Sequence, residues 1–514
     1  MRGEDLVLTV LLCAAATLFA LWQPRHLNPA DESVYLYEAK RVLEGEVLYR
    51  DVFEITTPGW IYLMAALFRL FGIDLATARM AVGILHGLTS ALLYATCRRL
   101  GLRPGLSLPA PLAYLLVSQT AWPIASQHWL ATTLSVVVLW SCARLPAARA
   151  RWTLLPGAFI GLLIGVHQQR GVFVGAGVVL WLIVDHLLQR WYRSARIEPP
   201  LFAQLALLAA GSALVVVPMA IVTLASAGVA PVWQALIVHP IFNYRSFSYA
   251  PWGHSGGLLA EQASYTFPTL LKYLPAILAV DLLRLVVLAA RRQGRDEARR
   301  LALLICFGLG SIGSIAYFPD FIHIAFIAPA FFVAVAESVH WAVGDVAARS
   351  RPLRIAGCIA GGVLLAACAL RLQSDLARSR AAFPIHRATA FGRVDFARPF
   401  EAELYDRVQA LMAEVPSREL FCYPIISSLY LMADADNPTR FQFLHPGYNS
   451  PAQLDEVVQV LETRKLPYIV AFPGFLGPQD PILTYLQRDY EPLAGAGSGD
   501  PGEAIFRRKD RGGA

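Results

Sequence analysis

A polytopic α-helical membrane protein with a small C-terminal α/β domain is the fold class this sequence predicts, and three observations carry it. The 514 residues are 56% apolar and only 16% charged, against roughly a quarter charged in soluble proteins. The apolar residues fall in blocks of roughly 16 to 24 as far as about residue 371, the length that crosses a ~30 Å hydrocarbon core. Beyond Arg371 the composition turns to that of a soluble domain. A single soluble globule is excluded.

The blocks place spans at about 6–22, 77–97, 105–121, 127–143, 153–168, 171–188, 203–226, 268–290, 299–317, 321–343 and 354–371, about eleven in all. The first, LVLTVLLCAAATLFALW from Leu6, lacks the basic n-region and small-residue cleavage site of a signal peptide, and reads as a retained span. Arginines follow alternate spans: Arg98, Arg99 and Arg103; Arg144, Arg149 and Arg151; Arg190, Arg193 and Arg196; the five of RRQGRDEARR; and Arg349, Arg351 and Arg354. The positive-inside rule then puts the N-terminus in the cytoplasm and the tail outside an inner (cytoplasmic) membrane. The net charge of +7 is spread over these clusters rather than along one stripe, which argues against nucleic acid as a partner. Of the seven cysteines only Cys422 belongs clearly to the tail, so no disulfide framework is expected.

Two stretches of the first outer loop, residues 23–76, have structure of their own. DESVYLYEAKRVLEG predicts a polar helix over about 31–44, ended by Gly45. TPGWIYLMAALFRLFG, about 57–72, is apolar but short, and counting it as a span would invert every later loop against the arginines. It is expected to lie at the outer interface. In the tail, 372–514, AQLDEVVQVLETRK sets Leu454, Val457, Val458 and Leu461 on one helical face. PYIVAF, ELFCYP and EAIFRRK are strand candidates.

Asp31 and Glu32 stand just outside the first span at a helix start. A carboxylate there suits a general base or a metal ligand at the membrane surface, or it is only the favoured N-cap residue. The run DESVYLYEAKRVLEGEVLYRDVFEITTPGWIYLMAALFRLFG, followed by a span containing Arg79 and ending in CRRL, resembles the first outer loop of bacterial GT-C membrane glycosyltransferases. Among these are the protein mannosyltransferases of glycosyltransferase family 39, the lipid A aminoarabinose transferases and the lipopolysaccharide galacturonosyltransferases. The resemblance implies a GT-C-like membrane region, 1–371, with an acidic residue of the first outer loop acting at the reacting sugar. Asp31, with Glu32 beside it, matches that position. It also implies a polyprenyl-phosphate-linked sugar as donor and an extracytoplasmic glycan, lipid or protein hydroxyl as acceptor, with inversion at the sugar.

The resemblance continues in LLIGVHQQRGVF, where His167 and Arg170 offer the cation that a leaving phosphate needs in a low-dielectric site, unless Arg170 merely snorkels. In YFPDFIHIAFIAPAFF, His323 is a phosphate candidate and Asp320 a sugar candidate or an interfacial anchor. Where several members carry a second acidic residue, this chain reads ASQHWLATT, leaving Gln127 and His128. A divalent ion such as Mg or Mn held by Asp31, Glu32 and His128 has no diagnostic spacing behind it, so no metal ligands are assigned. In the insertion of about 227–267, Arg245 could touch phosphate and Tyr244 stack on sugar, while Trp233 and Trp252 read as an aromatic belt. DADNPTRFQFLHPGY offers Asn437 and Arg440 to the acceptor. Two rivals are a lipid-linked-sugar flippase or secondary transporter, which would show paired halves, and a non-catalytic envelope assembly protein. No internal repeat is visible, and no P-loop, dinucleotide fingerprint, nucleophile elbow or zincin pair appears in context.

Overall fold

The computed structural model describes residues 3–143, 150–193, 200–244, 250–254, 271–346, 350–445, 447–493 and 504–509. Each predicted span carries helix, and the two predicted loop helices are present. The membrane part comprises α1 (Gly3–Leu21), α2 (Asp31–Leu43), α3 (Gly59–Phe71), α4 (Leu75–Arg99), α5 (Pro109–Ala113), α6 (Gln127–Cys142), α7 (Leu154–Val166), α8 (Gln168–Trp191) and α9 (Leu201–Ala227). It continues with α10 (Val229–Trp233), α11 (Ile277–Arg291), α12 (Arg295–Gly313), α13 (Phe321–Trp341) and α14 (Arg351–Ala381). Among the described residues six helices are long and apolar enough to cross a bilayer: α1, α4, α8, α9, α13 with its continuation to Gly344, and α14.

Three predicted spans differ in form. The one expected over 105–121 is a broken path of a 3-10 turn, the five-residue α5 and a π turn ending at Ser118, because Pro104, Pro109 and Pro111 interrupt the ladder. That expected over 268–290 is interrupted by a turn at Lys272 and Tyr273 and a 3-10 turn holding Pro275 before the regular helix from Ile277. The last helix runs on to Ala381, ten residues beyond the predicted end at 371.

Small residues let the helices approach. Gly161 of α7 faces the Ser212 carbonyl of α9, 2.7 Å from where a Cβ would stand, and Gly177 of α8 faces the Cys306 carbonyl of α12 at the same distance. Without a hydrophobic drive inside lipid, such backbone contacts and interhelical polar bonds hold helices together. Two arginines read as topological are also paired, Arg98 of α4 with Asp5 of α1 at 2.8 Å and Arg299 of α12 with Asp185 of α8 at 2.5 Å, and a third within a span, Arg284 of α11, meets Glu337 of α13 at 2.6 Å.

The C-terminal part has a β-hairpin, β1 (Ile385–Thr389) with β2 (Gly392–Phe396), and a four-stranded sheet of β3 (Phe421–Tyr423), β4 (Tyr468–Ala471), β5 (Tyr490–Pro492) and β6 (Ile505–Arg508) in the order β3-β4-β6-β5. β3 and β4 are parallel, joined through α17 (Pro451–Arg464), and the other pairs are antiparallel. α15 (Pro399–Glu414), α16 (Ser428–Met432) and α18 (Pro481–Asp489) complete it. Val457 and Leu461 of α17 are fully buried, as the periodicity predicts, and Leu454 and Val458 pack at the edge of the core. α17 also carries a capping box between Ser450 and Gln453.

This part grips α2. Lys40 reaches Asp434 at 2.9 Å, Arg41 donates to the Thr439 carbonyl at 2.8 Å, and Tyr37 stacks on Tyr430 at 4.8 Å while its hydroxyl accepts from the Asn437 N–H. Gly45, at φ +105°, ends α2 in a conformation that side chains disfavour.

Gly161→Leu is expected to push α7 off α9 and destabilise by about 1–3 kcal/mol, the range for overpacking. A lowered thermal midpoint of the detergent-purified protein checks this; an unchanged midpoint would contradict close α7–α9 packing.

Candidate active site

The N-terminus of α2 is capped by Asn28, not by Asp31. The Asn28 side-chain oxygen accepts the N–H of Ala30 and of Asp31, both at 3.0 Å, and its carbonyl accepts from Ser33. Asp31 is the first residue of the helix, and among the described residues its carboxylate accepts no hydrogen bond. Capping therefore does not account for it.

The adjacent carboxylate is fully spent. Glu32 is wholly buried; one oxygen accepts from the Ala125 N–H at 2.6 Å, and the other meets Arg79 at 2.9 Å and the Asn28 N–H at 3.2 Å. Burial raises this carboxyl, and Arg79 and the two N–H groups offset part of that rise by favouring the charged form. Arg79 in turn donates to the carbonyls of His26 and Pro123. Glu32 thus ties α2, α4 and the 123–125 turn together, while Asp31 stays open.

Asp31 is reached by solvent, yet so much protein stands around it that desolvation is the largest influence on its carboxyl, raising it from 3.8 to about 6. A group on the wall of a deep cleft has both properties. His323 lowers it and Asp320 raises it, as the next largest influences. Those two form a unit: Asp320 caps α13 by accepting the His323 N–H at 2.8 Å and takes Nδ1 of the same imidazole at 2.7 Å. With Nδ1 engaged by Asp320, Nε2 is the nitrogen of His323 left to meet a ligand, and it donates to an anion when it carries a proton.

Next to His323 lies His128, ring centroids 5.2 Å apart, and His128 stacks on Phe326 at 4.6 Å and lies 5.0 Å from His167. The Nδ1 of His167 accepts the Arg170 N–H and starts α8. Arg170 is buried, donating to the His128 carbonyl at 3.2 Å and the Thr132 hydroxyl at 3.1 Å. Among the described residues no carboxylate pairs with it. A buried guanidinium so placed is set to receive an anion. Gln127 donates to the Tyr35 hydroxyl of α2 at 3.0 Å. Tyr244 lies 6.1 Å from Tyr317 and 5.9 Å from Tyr448, ring to ring.

Two sequence candidates fall elsewhere. Arg440 is held by Glu456 at 2.7 and 2.8 Å and lies over Phe53 and Phe441, while Asn437 closes its own turn through Thr439 and Phe441. Arg245 lies outside the described residues. Trp233 and Trp252 are exposed, in keeping with a belt. With the oxygens of Glu32 filled, the Asp31, Glu32 and His128 set does not assemble, and among the described residues no three His, Cys, Asp or Glu side chains converge as metal ligands.

Three groups were missed. Tyr317 lies 5.4 Å from His323 and 6.1 Å from Tyr244, ring to ring. Glu38 and Glu54 are buried together, both carboxyls raised by burial first; Glu54 raises Glu38 further, while Glu38 offsets part of the rise at Glu54, as when one carboxyl donates to the other. The spacing 31, 35, 38 puts Asp31, Tyr35 and Glu38 on one face of α2, a periodicity readable in DESVYLYE.

No sequence family and no curated protein matches the chain. Solved structures of the same arrangement include ArnT from Cupriavidus metallidurans bound to undecaprenyl phosphate, 14% identical over 99% of each chain with a TM-score of 0.59. The same enzyme in its apo state gives 14% identity over 98% of each chain and 0.55. The Archaeoglobus fulgidus oligosaccharyltransferase tethered to an acceptor peptide gives 14% identity over 91% of this chain and 69% of that one, and 0.57. These are GT-C glycosyltransferases, and the chain has their fold.

Glu32→Gln leaves the Arg79 guanidinium without a counter-charge, and a loss of about 3–5 kcal/mol is expected, seen as a sharply lowered thermal midpoint. Asp31→Asn should behave oppositely. A carboxyl whose folded value lies above its unfolded one is held at a cost once ionised, so stability falls as pH rises from about 4 to 6, and the Asn variant should melt no lower than the parent at pH 7. Equal melting losses in the two variants would refute the division of labour.

Proposed function

We propose that the chain is an integral membrane glycosyltransferase that moves a sugar from a polyprenyl-phosphate carrier to a hydroxyl acceptor outside the cytoplasm. The observation that carries this is, within a GT-C fold, an uncapped carboxylate on Asp31 and a buried guanidinium on Arg170 that has no carboxylate partner among the described residues, with His323 beside the first and His128 and His167 leading to the second. The membrane part crosses about eleven times, with the N-terminus inside and the C-terminal part, from about residue 372, outside.

In the proposed step Asp31 takes the proton of the acceptor hydroxyl while that oxygen attacks the anomeric carbon and the carbon–phosphate-oxygen bond opens on the opposite side. The sugar inverts, and the polyprenyl phosphate leaves as an anion. Arg170, with His167 and a protonated His323 nearby, stabilises the charge that develops on that phosphate. Asp320 fixes the tautomer of His323. Gln127, His128 and Tyr244 are proposed to border the acceptor and sugar side. Glu32 positions Asp31 from behind and does not touch the reacting atoms.

With purified protein and a panel of polyprenyl-phosphate monosaccharides, one donor should be consumed, and Asp31→Asn should lower its turnover by about 10²–10⁴, the range for losing a general base, with donor binding kept. Turnover should rise with pH through about 6 as Asp31 ionises and fall about tenfold per unit below it. Arg170→Gln should weaken donor binding and turnover together. Near-normal turnover by Asp31→Asn would remove it as the base, and consumption of no donor by folded protein would remove the transferase reading.

A further inference from the structure

Away from this cleft, a cavity of about 450 Å³ opens where the C-terminal end of α1, the C-terminal end of α14 and the β1–β2 hairpin meet. Arg25, Arg380 and Arg393 line it with His386, against a single carboxylate, Asp395. That carboxylate is already engaged: Oδ2 accepts the Arg25 N–H at 2.9 Å, and Oδ1 meets His386 Nδ1 at 2.7 Å and Arg393 Nε at 3.2 Å. Among the described residues no carboxylate pairs with Arg25 or Arg380. Arg380 instead lies 5.0 Å from the Trp22 ring and donates to the Trp22 carbonyl. Trp22 is exposed just past the last turn of α1, where an indole marks the headgroup level of a bilayer. The remaining wall, Leu21, Phe383 and Pro384, is apolar.

We infer that this cavity binds a phosphate oxyanion at the membrane surface, through Arg25, Arg380 and Arg393. The excess of guanidinium over carboxylate supplies the charge, their planar donors match phosphate oxygens, and the apolar wall suits the glycerol and upper acyl carbons of a lipid. The occupant would also brace the chain that leads to the catalytic cleft. Arg25 precedes Asp31 by six residues, a reach of at most about 20 Å, and the carbonyl of the intervening His26 is one of the groups that holds Arg79 on Glu32. The inference needs only the membrane setting and stands whether or not the chain transfers sugars.

The test is binding to full-length protein, delipidated in neutral detergent, read by native mass spectrometry and thermal shift, with phosphatidylglycerol and inorganic phosphate as separate probes. The parent should bind phosphatidylglycerol, and Arg380→Gln with Arg393→Gln should weaken that binding at least tenfold. Arg398→Gln, which removes an exposed arginine paired with Glu401, should leave it unchanged. The same pattern seen with inorganic phosphate and not with the lipid would assign the site to free phosphate. Binding that survives the double variant, or that Arg398→Gln weakens equally, overturns the inference. If the double variant does not fold, Arg25→Gln and Arg380→Gln carry the comparison singly.

Discussion

The buried carboxylate of Glu32 is the contact on which the cleft depends. One side chain satisfies a guanidinium from α4 and two backbone N–H groups, one before α2 and one in the turn before α6. Removing an ion from water is costly, and only such complete satisfaction offsets the cost. Glu32 takes up these three groups, while its neighbour Asp31 accepts no hydrogen bond among the described residues. Two adjacent acids in sequence therefore take opposite characters, one a fixed strut and the other a titratable group in a cleft.

A second constraint acts from the far end of α2. Lys40 and Arg41 are almost fully buried against the 434–440 segment, so the helix that begins at Asp31 ends in the grip of the C-terminal part. The Phe53 N–H bonds to the Arg440 carbonyl, which extends the same seam. The soluble-looking portion is thus not an appendage; it helps set the orientation of the helix that presents the proposed base.

How far the sequence could be read depends on what kind of force sets each feature. Helix positions followed from apolar blocks, and the helices at 31–43 and 59–71 from their polarity and length, because burial is a one-dimensional signal there. The break at 104–118 was written in its prolines and still read as a span, since hydropathy is blind to backbone donors. In the cleft, Asp31, Arg170, His323 and His128 were visible as ionisable residues near span ends. That Asn28 would do the capping, that Glu32 would be consumed, and that Asp320 would hold His323 are matters of three-dimensional hydrogen bonding with no periodic trace. Arg98 and Arg299, legible as topological charge, turned out also to be partners of Asp5 and Asp185, which lie 93 and 114 residues away.

The Asp5–Arg98 pair has a consequence in time as well as space. A ribosome working at about 5 to 20 residues per second takes roughly 5 to 20 s to make the 93 residues between them. Through that interval the segment that carries Asp31 is made before the arginine that will join α4 to α1 exists. The ion pair that fastens the first helix to α4 is thus completed after α2, which bears Asp31, has left the ribosome's catalytic centre, so this one contact closes around a segment already made.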